Sequence, residues 1–340
     1  QERESFEDVF GTSKISDYSE DFSGMLNDES VCLMLPSNPH CDTRLYQSFQ
    51  ELEFSLPTRR ILNPMSGISS ALDKSIAFDR WKSSGVLCPK YFGFDDRESF
   101  YENLEMADFG FPMLLRVTNE SSAKGSILIK TREDLDDGIT WMLEFEKKSS
   151  KTMGMSRSKF IAVQFLDTKL VTNSDKNFSY RLIVSGNELV TGYARVSLGD
   201  NWNATTADMN MPFKEIADNF VQYNLKLHEK MRNESWRNKA IAAVQSCGMD
   251  IVSLDVIEDH EENPVFLEIN HSWDAGYVNC IPPFYNPNKQ HLTSFILQNA
   301  GWFEKNLPMY WYFWLNKRLH FDKVYRAAKE KMKEDGRWKI

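Results

Sequence analysis

The segment IVSLDVIEDHEENPVFLEIN, residues 251 to 270, constrains the fold of this chain more than any other stretch. Two apolar runs rich in β-branched residues, 251–257 and 265–270, flank the polar, proline-bearing DHEENP, which is the pattern of a β-hairpin. With the loop centred so that Glu258 faces Val265, Asp255 falls opposite Glu268. Directly opposed residues sit roughly 5 Å apart, close enough for two carboxylates to share a cation. Glu268 and Asn270 are two apart on one strand and point to the same side. The pattern therefore predicts three oxygen-bearing side chains on one face. Repulsion and desolvation make such a cluster costly unless a hard cation, magnesium above all, neutralises it. A solvated hairpin tip is the other reading, and it suits Glu258 to Glu262. It suits Glu268 poorly, because that carboxylate lies inside the apolar run VFLEI.

The 340 residues, 41% hydrophobic and 13% aromatic, are enough for two or three packed lobes. A formal net charge of −9 provides no basic footprint for nucleic acid. Cys32, Cys41, Cys88, Cys247 and Cys280 are odd in number and lack CxxC spacing, which points to a reducing compartment without zinc or a disulfide framework. Sequons begin at Asn119, Asn177, Asn203 and Asn233, but with no signal peptide visible they read as chance and the expected location is cytoplasmic. No apolar run reaches the roughly 20 residues needed to span a bilayer.

Periodicity and punctuation predict the elements. Residues 1 to 30 read as a polar, acidic arm, and VCLMLP (31–36) as a buried strand. Helical spacing covers 43 to 54, RILNP (60–64) is a short strand, and one helix is expected from about Ser70 through Trp81 to Gly85. FPMLLRV (111–117) and GSILI (125–129) form a hairpin, 132 to 147 an acidic helix, and KFIAVQFL (159–166) a buried strand. YRLIVSGNELVTGYARV (180–196) is a hairpin about Gly186-Asn187, and 214 to 247 is helical. This mixture of antiparallel strands and helices is an α+β protein with several lobes.

Three further signals concern anions. Lys74 opens the helix after LNPMSGISSALD. Arg116 stands in an apolar strand, where an unpaired guanidinium is expensive, so it pairs with an acidic core residue or with a ligand. NESSAKGS (119–126) is a small, polar loop between two strands whose N–H groups can close over phosphates. Singly these signals are weak: Lys74 alone is more often a surface lysine, and the loop alone is also explained as an ordinary hairpin connection. Their order and spacing carry the weight.

In that order the segments resemble the ATP-grasp superfamily over roughly residues 31 to 285. LNPMSGISSALDKSIAFDRWKSSGVLCPKYFGF resembles its lysine-bearing opening helix, and FPMLLRVTNESSAKGSILI its strand, glycine-rich loop and strand. VQFLD resembles the adenine hinge, YRLIVSGNELVTGYARV the central hairpin, and LDVI…FLEIN the magnesium strands. SVCLMLPSNPHCDTRLYQSFQELE is similar to the end of the N-terminal domain of glutathione synthetase and of ribosomal-protein glutamate ligases. The resemblance implies an ATP-grasp fold, with two α+β lobes clamping ATP, a short N-terminal α/β domain (1–72) and a C-terminal helical extension (291–340). The first lobe would span 73–167 and the second 168–290. Lys74 and Arg116 would neutralise α- and β-phosphates, and amides near Ala123, Lys124, Gly125 and Ser126 would cover the β- and γ-phosphates. Gln164, Phe165 and Leu166 would frame adenine, with Asp167 at the ribose. Asp255, Glu268 and Asn270 would hold Mg2+ (two ions, with Mn2+ an alternative), and Arg195, Arg181 and Asn203 would face the transferred phosphoryl. His271, Ser272 and Trp273 fall where the substrate pocket is expected.

The chain departs from that pattern in places. Arg116 replaces the usual lysine, which keeps the charge and alters reach. Ser179 stands where an acidic residue is common, and the N-terminal part is short. A flush two-residue hairpin also puts Arg181 and Arg195 on opposite faces, unless a bulge near Gly192 turns one of them. The implied activity is an ATP-dependent carboxylate–amine ligase acting on a small-molecule or peptide carboxylate and an amine. A small-molecule kinase and a nucleotide-binding regulator without turnover are the alternatives. For the aromatic and basic C-terminus, MYWYFWLNKRL (309–319) and 323–340, packing on the body or across a homodimer is expected over a membrane-surface helix.

Overall fold

The computed structural model describes residues 32–33, 51, 53–54, 61–118, 125–149, 158–168, 177–196, 213–271 and 317–337. Most of the helix expected over 43 to 54, the loop 119–124 and the aromatic run 309–316 lie outside the described residues.

A pair of two-residue parallel strands, β1 (Cys32–Leu33) and β2 (Ile61–Leu62), opens the fold. Beyond Asn63 and Pro64 come two helices, α1 (Met65–Leu72) and α2 (Lys74–Ser83), where the spacing predicts one continuous helix from Ser70. The break is at Asp73, whose extended backbone ends α1 and whose carboxylate accepts the Ser75 N–H at 2.8 Å to cap α2. Gly85 lies just past α2 with φ +71°, as its placement after the helix implies.

The first sheet has the order β3-β6-β4-β5 and is antiparallel throughout: β3 (Tyr91–Phe94), β4 (Met113–Val117), β5 (Ser126–Ile129) and β6 (Phe160–Gln164). Helix α3 (Arg97–Met106), closed by an Asp96–Ser99 capping box, and α4 (Leu135–Ser149) accompany it. Strand β6 explains its own unbroken apolar sequence, because it is buried on both faces. Phe160 and Ala162 join a core with Met113, Leu115, Val117 and Phe100, while Ile161 and Val163 join the larger core on the other side. Alternation along β4 sends Met113, Leu115 and Val117 into the first core and leaves Leu114 and Arg116 on the opposite face.

The second sheet has the order β10-β9-β7-β8, again antiparallel, from β7 (Phe178–Ser185), β8 (Glu188–Val196), β9 (Ile251–Glu258) and β10 (Pro264–Asn270). Helices α5 (Phe213–Arg232) and α6 (Glu234–Ser246) are separated by Asn233, whose side chain caps α6. The larger core gathers this sheet, α5 and α6 with α1 and α2, and Trp81 is fully enclosed in it. The last helix, α7 (Lys317–Glu334), packs on the body through Val324, Tyr325, Ala328 and Met332, so the first of the two packing readings of the basic C-terminus describes it. Ser185 Oγ donates to Val324 O at 2.6 Å. A Cβ on Gly186, which has φ +57°, would lie 2.5 Å from Ala327 O, so the hairpin tip must be glycine for conformation and for space alike.

Both hairpin registers contain a bulge. Asp255 does pair with Glu268, but Glu258 faces Pro264 rather than Val265, and the count is restored by Leu267, which stands unpaired between Phe266 and Glu268. In the central hairpin Val184 pairs with Leu189 and Ile183 with Thr191, so the extra residue is Val190, two positions from the bulge considered at Gly192. Its effect is the one required: Ser179 pairs with Arg195 and Arg181 with Tyr193, and both arginines share a face.

Candidate functional site

One row crosses the second sheet. Glu268 pairs with Asp255, Asp255 with Arg181, and Arg181 with Tyr193. Arg181 grips the Asp255 carboxylate at both oxygens, Nε to Oδ1 at 2.7 Å and a terminal nitrogen to Oδ2 at 2.8 Å. Arg195 reaches the same Oδ2 at 3.2 Å, and its guanidinium carbon lies 5.7 Å from the centroid of the Tyr193 ring. From outside the sheet, Lys74 Nζ approaches Glu268 Oε1 to 3.6 Å, and Arg116 donates to Glu268 Oε2 at 3.4 Å. One helix (α2), one strand of the first sheet (β4) and two strands of the second (β7 and β8) therefore deliver four cations to two opposed carboxylates on β9 and β10.

The electrostatics follow from burial. The Lys74 side chain is 5% exposed, and burial, with help from Arg116, lowers its pKa against the attraction of Glu268 and Asp73. Burial would push the Asp255 carboxyl up, but Arg181 and Arg195 hold it below the usual aspartate range. Asp255 in turn raises Arg181 against the effect of burial. Arg116 Nε and Asn270 Nδ2 are buried and have no hydrogen-bond partner among the described residues. Unsatisfied buried polar atoms beside a cationic surplus are the condition a polyanionic ligand relieves.

The residues singled out by sequence fall as follows. Lys74, Arg116, Arg181, Arg195, Asp255 and Glu268 converge. Asn270 lies two residues along β10 from Glu268, opposite Ser253, and His271 is buried immediately after it. Ser126 opposes Arg116 across β4 and β5. Gly125 has φ +62°, and a Cβ there would sit 2.8 Å from both Val117 and Phe145. At the end of β6, Gln164 N–H donates to Lys90 O at 2.8 Å and Phe165 N–H to Pro112 O at 3.3 Å, which leaves Leu166 and the half-buried Asp167 as the next groups along the hinge. Ala123, Lys124, Asn203, Ser272 and Trp273 lie outside the described residues. Sequence reasoning passed over Tyr193 and Asp73. The first is signalled by its place two residues before Arg195, the second by an Asp directly before a helix.

A divalent ion and its nucleotide fit this set. Two carboxylates and an amide are hard oxygen donors, and the surrounding cations match phosphate oxygens. Among the described residues no group of three or more His, Cys, Asp and Glu side chains is placed to hold a metal, so the amide and the ligand itself would complete any coordination. No helix among them is long and apolar enough to cross a membrane.

No family model and no curated protein matches the chain. Among solved structures it is similar to an N5-carboxyaminoimidazole synthetase from Staphylococcus aureus complexed with ADP, at TM-score 0.44 and 13% identity over 76% of this chain and 58% of that one. It is similar also to an L-amino acid ligase from Bacillus licheniformis, at TM-score 0.43 and 12% identity over 69% and 49%. A RimK domain ATP-grasp protein from Sphaerobacter thermophilus matches at TM-score 0.37 and 13% identity over 65% and 66%. The chain thus spans about half the length of the first two. With TM-scores this low the likeness assigns neither activity nor substrate, and the reading of the site rests on its own geometry.

Proposed function

We propose that this chain is an ATP-grasp enzyme that joins a small-molecule or peptide carboxylate to an amine, using ATP and releasing ADP and phosphate. The observation that carries this is the convergence of Lys74, Arg116, Arg181 and Arg195 on the opposed pair Asp255 and Glu268, between two antiparallel sheets. In the reaction, a carboxylate oxygen of the substrate takes the γ-phosphoryl group of ATP, and ADP leaves. The amine then attacks the acyl carbon, phosphate departs, and the amine loses its proton. Nothing in this sequence needs a covalent protein nucleophile. It needs charge stabilisation on the transferred phosphoryl oxygens.

Lys74 and Arg116 would neutralise the α- and β-phosphates, and Arg195 and Arg181 would face the transferred phosphoryl group. Asp255, Glu268 and Asn270 would hold magnesium, which when bound neutralises and orients phosphate oxygens. The backbone beside Gly125 and Ser126 would close over the triphosphate, and the strand end at Gln164 to Asp167 would receive the nucleoside. His271, the residue after β10, would then meet the acyl acceptor.

Phosphorus NMR of magnesium-ATP with pooled carboxylic acids and amines tests the reading, with Glu268→Gln as control. The expected result is ADP with free phosphate, dependent on both an acid and an amine and lost in the variant. A new phosphoester without free phosphate would make the protein a kinase, and AMP with pyrophosphate would overturn the acyl-phosphate route.

A further inference from the structure

The carboxylates that would bind a metal and the cations that would bind phosphate are bonded to one another. Asp255 is held by Arg181 at 2.7 and 2.8 Å and by Arg195 at 3.2 Å, and Glu268 by Arg116 at 3.4 Å and Lys74 at 3.6 Å. We propose that the two carboxylates of the cleft are masked by its own cations in the ligand-free state, and that a divalent metal and a nucleotide enter it only together, by exchange of ion-pair partners. The inference rests on the reading of this cleft as a metal–nucleotide site and adds to it how the site is guarded.

The argument is one of charge conservation in a dry place. A divalent cation alone would have to displace cations from Asp255 and Glu268, crowding four positive side chains beside a new double positive charge. A nucleotide alone would draw those cations away and leave two opposed carboxylates bare beside its own phosphates. Either half-exchange strands like charges where water screens poorly. When both ligands arrive, every charge changes partner and none is lost. The row Glu268–Asp255–Arg181 across three neighbouring strands makes the exchange collective, because Asp255 cannot turn to a metal unless Arg181 turns to something else. Coupling of this kind is reciprocal: metal strengthens nucleotide binding by the factor with which nucleotide strengthens metal binding.

Three titrations of the full chain test it: Mn2+ alone, followed by its free-ion electron paramagnetic resonance signal; ADP alone in chelator, by calorimetry; and ADP at saturating Mn2+. The expected result is that Mn2+ alone stays free, and that metal tightens ADP binding by at least about tenfold. In Arg195→Gln, where Asp255 has lost one partner, Mn2+ alone should bind measurably tighter than in the wild type. Arg116→Gln makes the same test at Glu268 if the first variant does not fold. Equal ADP affinity with and without metal, wild-type Mn2+ binding that needs no nucleotide, or variants unchanged in Mn2+ affinity would each overturn the exchange while leaving a nucleotide site standing. Absence of ADP binding even with metal would remove the nucleotide site and the exchange together.

Discussion

Asp255 shows what a single residue contributes when its charge is enclosed. Its side chain is 11% exposed and its two oxygens face two guanidinium groups. Asp255→Asn keeps the shape and removes the charge, leaving Arg181 and Arg195 with no counter-ion at the centre of the second sheet. One-sided removal of a buried pair costs about 3–5 kcal/mol, and urea denaturation should show a loss of that size. The pH dependence has a definite sign. Because the folded-state pKa lies below the ordinary 3.8, the stabilisation is complete above that value and is lost as pH falls through the lower, folded one. Unfolding midpoints followed from about pH 5 to about pH 2 should fall less steeply in Asp255→Asn than in the wild type. Lys74 works in the opposite sense. Its lowered pKa means that the folded chain gives up this proton more easily than the unfolded one, so stability from Lys74 rises as pH climbs through its folded value towards 10.5.

At the scale of elements, the site depends on two devices that break regularity. Asp73 interrupts what would otherwise be one helix, and by accepting from Ser75 N–H it points the first turn of α2, and with it Lys74, towards Glu268. Asp73→Ala should cost about 1 kcal/mol by thermal denaturation, the usual value of an N-cap. The second device is the bulge at Val190. A strand reverses its faces with every residue shifted, so deletion of Val190 restores a flush hairpin and turns Arg195 to the face away from Arg181. The deletion variant should keep its fold and lose the Arg195 contact to Asp255. ADP binding with Mn2+ should weaken by about tenfold or more, in line with the ~1.5–3 kcal/mol of a hydrogen bond to a charged group.

Across the whole molecule, distant ends of the chain meet at the start of β9. Asn63, at φ +56°, accepts from the N–H groups of Asp250 and Ile251 and donates to Ile251 O at 2.7 Å. Arg337, beyond α7, donates to Asp250 at 2.6 and 3.1 Å and to Ile61 O at 3.1 Å. The segment before the first helix, the metal-candidate strand and the C-terminal helix are thus tied at one buried carboxylate. Arg337→Met should destabilise the protein by about 1.5–3 kcal/mol and make the segment around α7 an early site of limited proteolysis. Little effect on either measurement would show that α7 is held by its apolar face alone.

Sequence by itself determined what local physics controls. Alternation and turn chemistry marked every strand of the two four-stranded sheets but β3, and marked the hairpin of β9 and β10; Asp255 meets Glu268 as expected because the bulge at Leu267 offsets the one-residue difference at the loop. The charges at Arg116 and Glu268, each inside an apolar run, already implied partners, because neither can be buried alone. Helix α3 was also legible in principle, from Asp96 and Ser99 at its start, but its apolar stripe is weak and it was passed over. Only the tertiary structure decided the rest. The bulges at Val190 and Leu267 are chosen by packing against α5, α6 and the neighbouring strands, and no local pattern encodes where the extra residue falls. Likewise, Arg116 and Glu268 stand 152 residues apart, and each fits many partners equally well until two separate sheets close on one another. Long-range ion pairing is a property of the assembled cores, and so the site became specific only in three dimensions.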